Sequence, residues 1–320
     1  MINEPRADAI WRNTMRGDVA VPIEHPQGAD GRRLAPSLRP GMRPGMRPGE
    51  LARRALRRLR GAALAVLMAA QIMAPAAQAG ERVTVAAAAD LKFAMDEIVA
   101  DFRRVHPNDV VEVVYGSSGK FATQIRQGAP FDLYFSADIA YPRALEADGL
   151  ALGPTRPYAV GRIVLWSNTR DARALRLQDL ADPAIGRIAI ANPRHAPYGK
   201  RAEEALRAAG VWDAVQPRLV QGENIAQTAQ FVQTGNAAVG VIALSLALNP
   251  ALAGQGGYHL IDAALHEPLE QGFMLTRQAE GKALATAFAD YIGNAAARAV
   301  LARYGFELPG EKAAPTPDAK

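Results

Sequence analysis

The stretch Val113–Lys120, VVYGSSGK, decides how the rest of this sequence is interpreted. A β-branched run, typical of a strand, stops at Gly116, and two serines and a second glycine follow before a helical pattern begins at Phe121. This order predicts a strand, a tight turn and a helix N-terminus. Because the first turn of a helix has free N–H groups and partial positive charge, the turn predicts a site for a small oxyanion. An alternative from the same residues is that Ser118 is only a helix N-cap.

Net charge separates the first 79 residues from the rest of the 320-residue chain. Residues 1–79 contain 13 Lys and Arg and 6 Asp and Glu, a net charge of +7, whereas the whole chain has +5, so residues 80–320 carry −2. The basic character lies in the N-terminal stretch, which argues against a nucleic-acid surface on the remainder. The chain has no cysteine, which excludes disulfides, thiolate metal sites and cysteine nucleophiles.

The ends of the chain are predicted to lie outside the folded part. Residues 1–50 are rich in Pro, Gly and Arg without apolar periodicity, which predicts a disordered segment or an over-called start. Residues 51–79 combine a basic run, a short apolar run and the small residues Ala77 and Ala79, the pattern of a secretory signal peptide. Cleavage is expected after Ala79, giving a periplasmic protein. The alternative, a membrane anchor, is disfavoured because the apolar run is short. Residues 310–320 are predicted to form a flexible tail.

Strands and helices alternate from residue 82 onward, which predicts an α/β fold with parallel pairing. Apolar runs predict strands that include a long one over Val160–Trp166. Several predicted strands lead through polar or glycine-containing loops into helices, and these helix starts lie at 89–90, 116–119, 197–199 and 223–225. In open α/β sheets ligands bind at the carboxyl ends of strands. Converging helix starts would hold an anion through backbone N–H groups, without a cation.

Four segments resemble a known family. The segments are AAAADLKFAMDEI at 86–98, YGSSGKFATQIRQGAPFDLYFSAD at 115–138, IANPRHAPYGKRAEEAL at 190–206 and RYGF at 303–306. They are similar to the periplasmic molybdate-binding proteins of ABC importers, over about residues 82–307. The resemblance implies a type II periplasmic-binding-protein fold, an α/β fold with two lobes, mixed mostly parallel sheets and flanking helices. The implied boundaries are 80–159 plus 263–309 for lobe one and 160–262 for lobe two.

The resemblance also implies a binding site and its partners. The oxyanion would contact residues from both lobes, namely Asp90, Ser118, Tyr198 and the backbone N–H of Ile225. Residues expected to support these loops are Ala89, Ser117, Gly119 and Gly199. The implied ligand is molybdate or tungstate, with no cofactor, no bare metal ion and no catalysis. The implied partners are an ABC permease and its ATPase, and the protein is expected to be a monomer.

Asp90 departs from the family pattern, in which many members have Ser, Thr or Asn at this position. A carboxylate facing a dianion is repulsive, and two explanations are open. The side chain caps the helix that begins at Leu91, or a nearby lysine, Lys92 or Lys120, neutralises it. Asp90 could instead accept a proton from the ligand, so another tetrahedral oxyanion such as phosphate or sulfate is an alternative.

A weaker alternative is an exported hydrolase of phosphate or sulfate esters. Such an enzyme needs a nucleophile with a positioned base. The sequence contains no GxSxG, HExxH or P-loop motif.

Overall fold

Two five-stranded mixed sheets organise residues 80–253 and 255–310, the part of the chain that the computed structural model describes. The predicted N-terminal segments 1–50 and 51–79 lie outside the described residues, as do residues 311–320 of the predicted tail. The first sheet contains β1 (Arg82–Ala88), β2 (Val110–Gly116), β3 (Leu133–Ser136), β4 (Arg156–Gly161) and β10 (Leu269–Leu275). The second contains β5 (Ile163–Trp166), β6 (Ile188–Ala191), β7 (Leu219–Gly222), β8 (Val239–Ala243) and β9 (Tyr258–Leu260).

The strand orders are β2-β1-β3-β10-β4 in the first sheet and β7-β6-β8-β5-β9 in the second. Each sheet has two parallel and two antiparallel pairings, because β10 and β5 run against their neighbours. The predicted α/β fold with mixed sheets and flanking helices is therefore confirmed.

Ten α-helices connect and cover the described strands. They are α1 (Lys92–Val105), α2 (Ser118–Arg126), α3 (Ala140–Ala147), α4 (Pro197–Ala208), α5 (Trp212–Val215), α6 (Ile225–Gln233), α7 (Leu244–Ala247), α8 (Pro250–Ala253), α9 (Ala283–Tyr291) and α10 (Ala295–Arg303). Short 3-10 turns include Ala89–Leu91, directly before α1, and Leu177–Ala181. None of the described helices has the length and apolar character that crossing a membrane requires.

Alternate residues of β1 pack on opposite faces of the first sheet. Val83, Val85 and Ala87 belong to one apolar cluster, and Ala86 belongs to another on the opposite side. Burial on both faces explains the near-continuous apolar sequence of this strand. A third cluster surrounds the second sheet and also includes Ala88 and Ala89, at the end of β1. The carboxyl end of the first sheet therefore packs against the second.

The predicted single strand Val160–Trp166 is wrong. The chain leaves the first sheet after Gly161 and enters the second at Ile163, so this apolar run contains parts of two strands. Arg162 lies at the crossing, where its guanidinium bonds Glu307 at 2.7 Å. Apolar residues on both sides of Arg162 are largely buried, so a single arginine between them was not enough to indicate a change of sheet.

Candidate anion-binding site

A small cavity lies where strand ends of both sheets lead into the following helices. Its free volume is about 10 Å³, which is enough for about one water molecule, so a larger ligand requires the surrounding loops to move apart. The lining residues are strand ends and helix starts, at 88–90, 116–118, 137, 196–198 and 224–225. None of these residues is Lys, Arg or His. An anion here would have to be held by hydrogen-bond donors without a side-chain cation.

The four predicted helix starts meet at this cavity. The turn at Ala89, helix α2 at Ser118, helix α4 at Pro197 and helix α6 at Ile225 each contribute their first residues to its wall. The leading N–H groups of a helix have no acceptor within the helix. Together with the helix dipoles, they place partial positive charge around the cavity.

Ser118 contributes a hydroxyl to this wall. It is the first residue of α2, and Ser117 occupies the N-cap position, so the alternative that Ser118 is only a cap is wrong. Its Oγ accepts the Ala137 N–H at 3.0 Å, and the Tyr134 hydroxyl donates to its backbone oxygen at 2.7 Å. These contacts fix the side chain and leave the hydroxyl hydrogen available to donate into the cavity.

Asp90 also lines the cavity and is 1% exposed. One carboxylate oxygen, Oδ2, accepts hydrogen bonds from the Tyr198 hydroxyl at 3.0 Å and from Gln271 Nε2 at 2.7 Å. The other oxygen, Oδ1, is buried and has no hydrogen-bond partner among the described residues. Ser245 donates its hydroxyl to the Asp90 backbone oxygen at 2.8 Å, which fixes the main chain.

Both sequence-based explanations for Asp90 are wrong. Helix α1 begins at Lys92 without a side-chain cap, because the Asp90 carboxylate is held by residues distant in sequence. The predicted neutralising cations are also bound elsewhere, Lys92 to Asp96 at 2.9 Å and Lys120 to Glu223.

Burial raises the pKa of Asp90 from 3.8 to about 6, although the side chains of Gln271 and Tyr198 and the nearby backbone N–H groups of Asp90 and Leu91 act in the opposite direction. The orientation of the Gln271 amide is determined by Tyr158, whose hydroxyl donates to Gln271 Oε1 at 2.6 Å. The amide nitrogen must therefore face Asp90. The same nitrogen also donates to the Tyr198 hydroxyl at 3.1 Å, so the three side chains form one buried network.

Residues predicted to support the loops join the two sides of the cavity. The Gly119 N–H donates to the His195 backbone oxygen at 2.9 Å, and Ser117 Oγ lies 2.9 Å from His195 Nδ1. His195 Nε2 is 3.0 Å from Glu223, which also pairs with Lys120. We call these five residues the loop contact.

Two other supporting predictions concern packing. Ala89 lines the cavity as expected. Gly199 lies in the first turn of α4, where an added Cβ would be 2.0 Å from the Ala191 backbone oxygen. A glycine is therefore needed for the close approach of α4 to the end of β6.

Comparison with known proteins identifies the family. The sequence profile of the bacterial extracellular solute-binding proteins matches residues 83–307. The chain belongs to this family. This solute-binding protein is 36% identical over 251 residues to the molybdate-binding protein ModA of Azotobacter vinelandii, covering 77% of this chain and 97% of that one. It is 35% identical over 252 residues to ModA of Rhodobacter capsulatus, covering 78% and 96%.

A solved structure gives the same result. The periplasmic molybdate-binding protein of Azotobacter vinelandii superposes with a TM-score of 0.67 at 30% identity, covering 71% of this chain and 99% of that chain. Since nearly all of the solved chain is matched, the two proteins share one fold.

The sequence analysis missed Gln271, Tyr158, Gly161 and Ser245 as residues that shape this solute-binding protein's site. The alternation of apolar residues along β10 could have indicated Gln271. Leu269, Gln271, Phe273 and Leu275 share one face of the strand, and the glutamine is the only polar member of that set. A polar side chain among core positions requires a hydrogen-bond partner.

Replacing Asp90 by asparagine should stabilise the unliganded solute-binding protein above about pH 7. The folded-state pKa of Asp90, about 6, exceeds the unfolded value near 3.8, so the native state binds more protons between these pH values and loses stability as pH rises. Ionising the buried carboxyl lowers the free energy of unfolding by about 3 kcal/mol at pH values above the folded-state pKa of Asp90. This cost is absent at pH values below the unfolded-state pKa. The Asp90→Asn substitution would remove this cost while keeping an oxygen for Tyr198.

Urea unfolding at about pH 8 and about pH 5 measures this difference. We expect a clear gain for Asp90→Asn at the higher pH and a smaller one at the lower pH. Asp96→Asn, which changes an exposed carboxylate on α1, is the control and should show no such gain. If wild type and Asp90→Asn were equally stable at about pH 8, burial of the ionised Asp90 carboxylate would not destabilise the protein, contrary to this prediction.

Proposed function

We propose that this solute-binding protein captures molybdate, or tungstate, in the cavity at the four helix starts and delivers it to an ABC permease and its ATPase. The observation that supports this most strongly is the composition of the wall, which offers N–H and O–H donors and no cationic side chain. The names of the relatives at 35–36% identity point to the same ligand. The proposed contacts are the Ser118 hydroxyl and the backbone N–H groups at Asp90, Tyr198 and Ile225.

Apart from the Asp90 carboxylate, a wall that offers N–H and O–H donors suits a fully deprotonated tetrahedral dianion. Every oxygen of such an ion accepts hydrogen bonds, so no ligand proton needs an acceptor from the protein. Hydrogen bonds to charged groups are stronger than those between neutral groups, which allows several donors to replace a cation. Size would then separate molybdate and tungstate from the smaller sulfate.

The proposed capture cycle uses the two sheets as two lobes. We place the boundary that was predicted between residues 159 and 160 at Arg162, because Val160 and Gly161 belong to β4 of the first sheet, so the lobes are residues 80–161 with 263–309 and residues 162–262. The ligand would bias the chain toward a closed state in which the loop contact joins the lobes. We further propose that the protein is exported with the signal peptide at 51–79, works as a monomer in the periplasm and has no catalytic step.

A second candidate ligand is a protonated oxyanion such as hydrogen phosphate. The observation that favours it is the unpartnered Asp90 Oδ1, which when ionised could accept the ligand's proton. Sulfate carries no proton at neutral pH and would not gain from this contact.

Thermal unfolding with molybdate, tungstate, sulfate, phosphate and chromate tests the proposal. A ligand at a hundred times its dissociation constant stabilises the native state by about 2.7 kcal/mol, which raises the melting temperature by a few degrees. We expect shifts with molybdate and tungstate and none with phosphate at the same concentration. A shift with phosphate alone would replace the proposed ligand by the second candidate.

Glu223→Gln should weaken molybdate binding several-fold. Glu223 pairs with Lys120 and His195 from opposite sides of the loop contact, and hydrogen bonding from Lys120 lowers its pKa. Loss of the charge removes the ion pair with Lys120, which joins the two lobes, and destabilises the closed state. Because Glu223 is solvent-exposed, salt should screen the effect.

Calorimetric titration at low and at high ionic strength measures the loss of affinity. Glu112→Gln, which breaks an exposed pair with Arg82 in the first sheet, is the matched control and should bind as wild type does. If Glu223→Gln bound molybdate at low salt as tightly as the wild type does, the Lys120–Glu223 ion pair would have no role in closure.

A further inference from the structure

Asp90 is the one acidic residue in the wall of the cavity. An ionised carboxylate at that place would repel a bound dianion in a region from which water is largely excluded. The proposed function therefore requires that something changes the charge or the position of this side chain.

The position of the Asp90 carboxyl group is fixed by its neighbours. Oδ2 accepts from the Tyr198 hydroxyl and from Gln271 Nε2, at 3.0 Å and 2.7 Å. The amide of Gln271 points its nitrogen toward Asp90 Oδ2, and its oxygen accepts the Tyr158 hydroxyl at 2.6 Å. Rotation of the carboxyl away from the cavity would break this buried network.

No charged side chain packs against the Asp90 carboxyl group among the described residues. The carboxyl group bonds Tyr198 on α4 and Gln271 on β10. Tyr158 on β4 bonds Gln271, and Ser245 on α7 bonds the Asp90 backbone oxygen. Burial raises the pKa of both tyrosines well above the usual value, so they remain neutral donors.

The nearest cations on the adjoining helices are engaged by other carboxylates. Lys92 at the start of α1 bonds Asp96, and Lys120 on α2 bonds Glu223. His195 in the opposite loop also faces Glu223. The negative charge of Asp90 can therefore be removed only by protonation.

A proton on Oδ1 would satisfy every hydrogen-bonding group of the network. Oδ2 would remain the carbonyl oxygen that accepts from Tyr198 and Gln271. Oδ1, which is buried without a partner, would become an O–H donor at the wall of the cavity. Asp90 would then supply the kind of donor that serine or asparagine offers, and it would no longer repel the ligand.

We propose that Asp90 takes up one proton from solvent when the oxyanion binds, and that its Oδ1–H donates a hydrogen bond to a ligand oxygen. This inference rests on the proposed function. The new O–H bond forms at Oδ1, the ligand keeps both negative charges, and no other covalent bond changes.

Proton uptake also determines the class of ligand. With Asp90 protonated, its Oδ1–H, the Ser118 hydroxyl and the proposed backbone N–H groups would all donate to the ligand, which favours fully deprotonated tetraoxo dianions. Hydrogen phosphate would bring a proton that has no acceptor in this wall. If Asp90 stayed ionised, its carboxylate could accept that proton and the site would favour hydrogen phosphate over molybdate.

Calorimetric titration of molybdate and of tungstate, in buffers with different heats of ionisation, measures the protons taken up per ligand. Burial raises the pKa of Asp90 in the free protein to about 6, so we expect nearly one proton per ligand at about pH 8. The affinity should fall roughly fifty-fold from about pH 6 to about pH 8. The wild-type protein alone is sufficient for this measurement.

Asp90→Asn places an amide donor where Oδ1–H would be. We expect this variant to take up no proton when molybdate binds. Its affinity for molybdate should therefore change little between about pH 6 and about pH 8. Asp96→Asn on α1 is the control and should keep the wild-type pH dependence.

Three results would overturn the inference. Tight binding of molybdate without proton uptake would overturn it while leaving the proposed function intact. Undiminished proton uptake by Asp90→Asn would assign the proton to another group. Failure of the wild type to bind molybdate or tungstate at any pH, or preference for phosphate, would overturn the proposed function together with the inference.

Discussion

Gly161→Ala should destabilise the protein and weaken molybdate binding at least about tenfold. Gly161 is the last residue of β4, and a Cβ there would lie 2.2 Å from the Tyr198 hydroxyl oxygen and 2.7 Å from Gln271 Nε2. Tyr198 is 2% exposed, so its ring has little room to move. Overpacking of this kind costs about 1–3 kcal/mol, and a displaced ring would break the bond to Asp90.

Urea unfolding and molybdate titration of Gly161→Ala measure the two effects. Gly293→Ala is the matched control, because the built Cβ meets only the Asp290 backbone oxygen, at 3.4 Å. We expect that control to stay within about 0.5 kcal/mol of wild type. Wild-type stability and affinity of Gly161→Ala would show that the Tyr198–Gln271–Asp90 network does not shape the site.

Ile225→Pro should weaken molybdate binding by about ten- to a hundredfold. Ile225 is the first residue of α6, where proline is well tolerated, and the preceding Asn224 has the extended conformation that proline requires, with φ −149° and ψ 176°. Proline would preserve the helix and delete the N–H that we assign to the ligand. A hydrogen bond to a charged group contributes about 1.5–3 kcal/mol, which gives the expected range.

The control for this variant is Ile225→Ala, which removes the buried side chain but keeps the N–H. Circular dichroism should show the same helix content in both variants. Titration should show a much smaller loss of affinity for the alanine variant than for the proline variant. Equal losses in the two variants would mean that side-chain packing, and not the backbone donor, accounts for the effect.

Local chemistry was sufficient to predict several parts of the site. The predicted strand, turn and helix at 113–120 are confirmed as β2 and α2. The predicted helix start at 223–225 is also confirmed: Asn224 caps α6, with its side chain accepting the Gln227 N–H at 3.0 Å. Both features depend on residues within a few positions of each other, and their signals are contained in short segments of sequence.

Features that depend on distant residues could not be predicted in this way. The prediction that Asp90 caps a helix failed because its carboxylate bonds Tyr198 and Gln271, which are 108 and 181 positions away. The passage of the chain from one sheet to the other at Arg162 was not predicted, because apolar residues indicate that a segment is buried but not which sheet it belongs to. The start of α2 was placed at Phe121 instead of Ser118, since serine and glycine have low helix propensity and do not indicate helix by themselves.

The roles of the loop residues also depend on the folded structure. Gly119 was expected to support the oxyanion site, but its N–H donates across the cavity to His195. Nothing in either segment indicates that they meet, since 76 positions separate them in the sequence. The same holds for Lys120 and Glu223, whose pairing reflects the approach of α2 to the start of α6.

A crystal of the protein grown with molybdate, measured at the molybdenum absorption edge, tests the central claim most directly. We expect one strong anomalous peak in the cavity between Ser118 and Ile225, within hydrogen-bonding reach of the Asp90 carboxyl group. An anomalous peak only elsewhere, for example in the separate cavity beside Arg156 and Asp290, would contradict the assignment of this site.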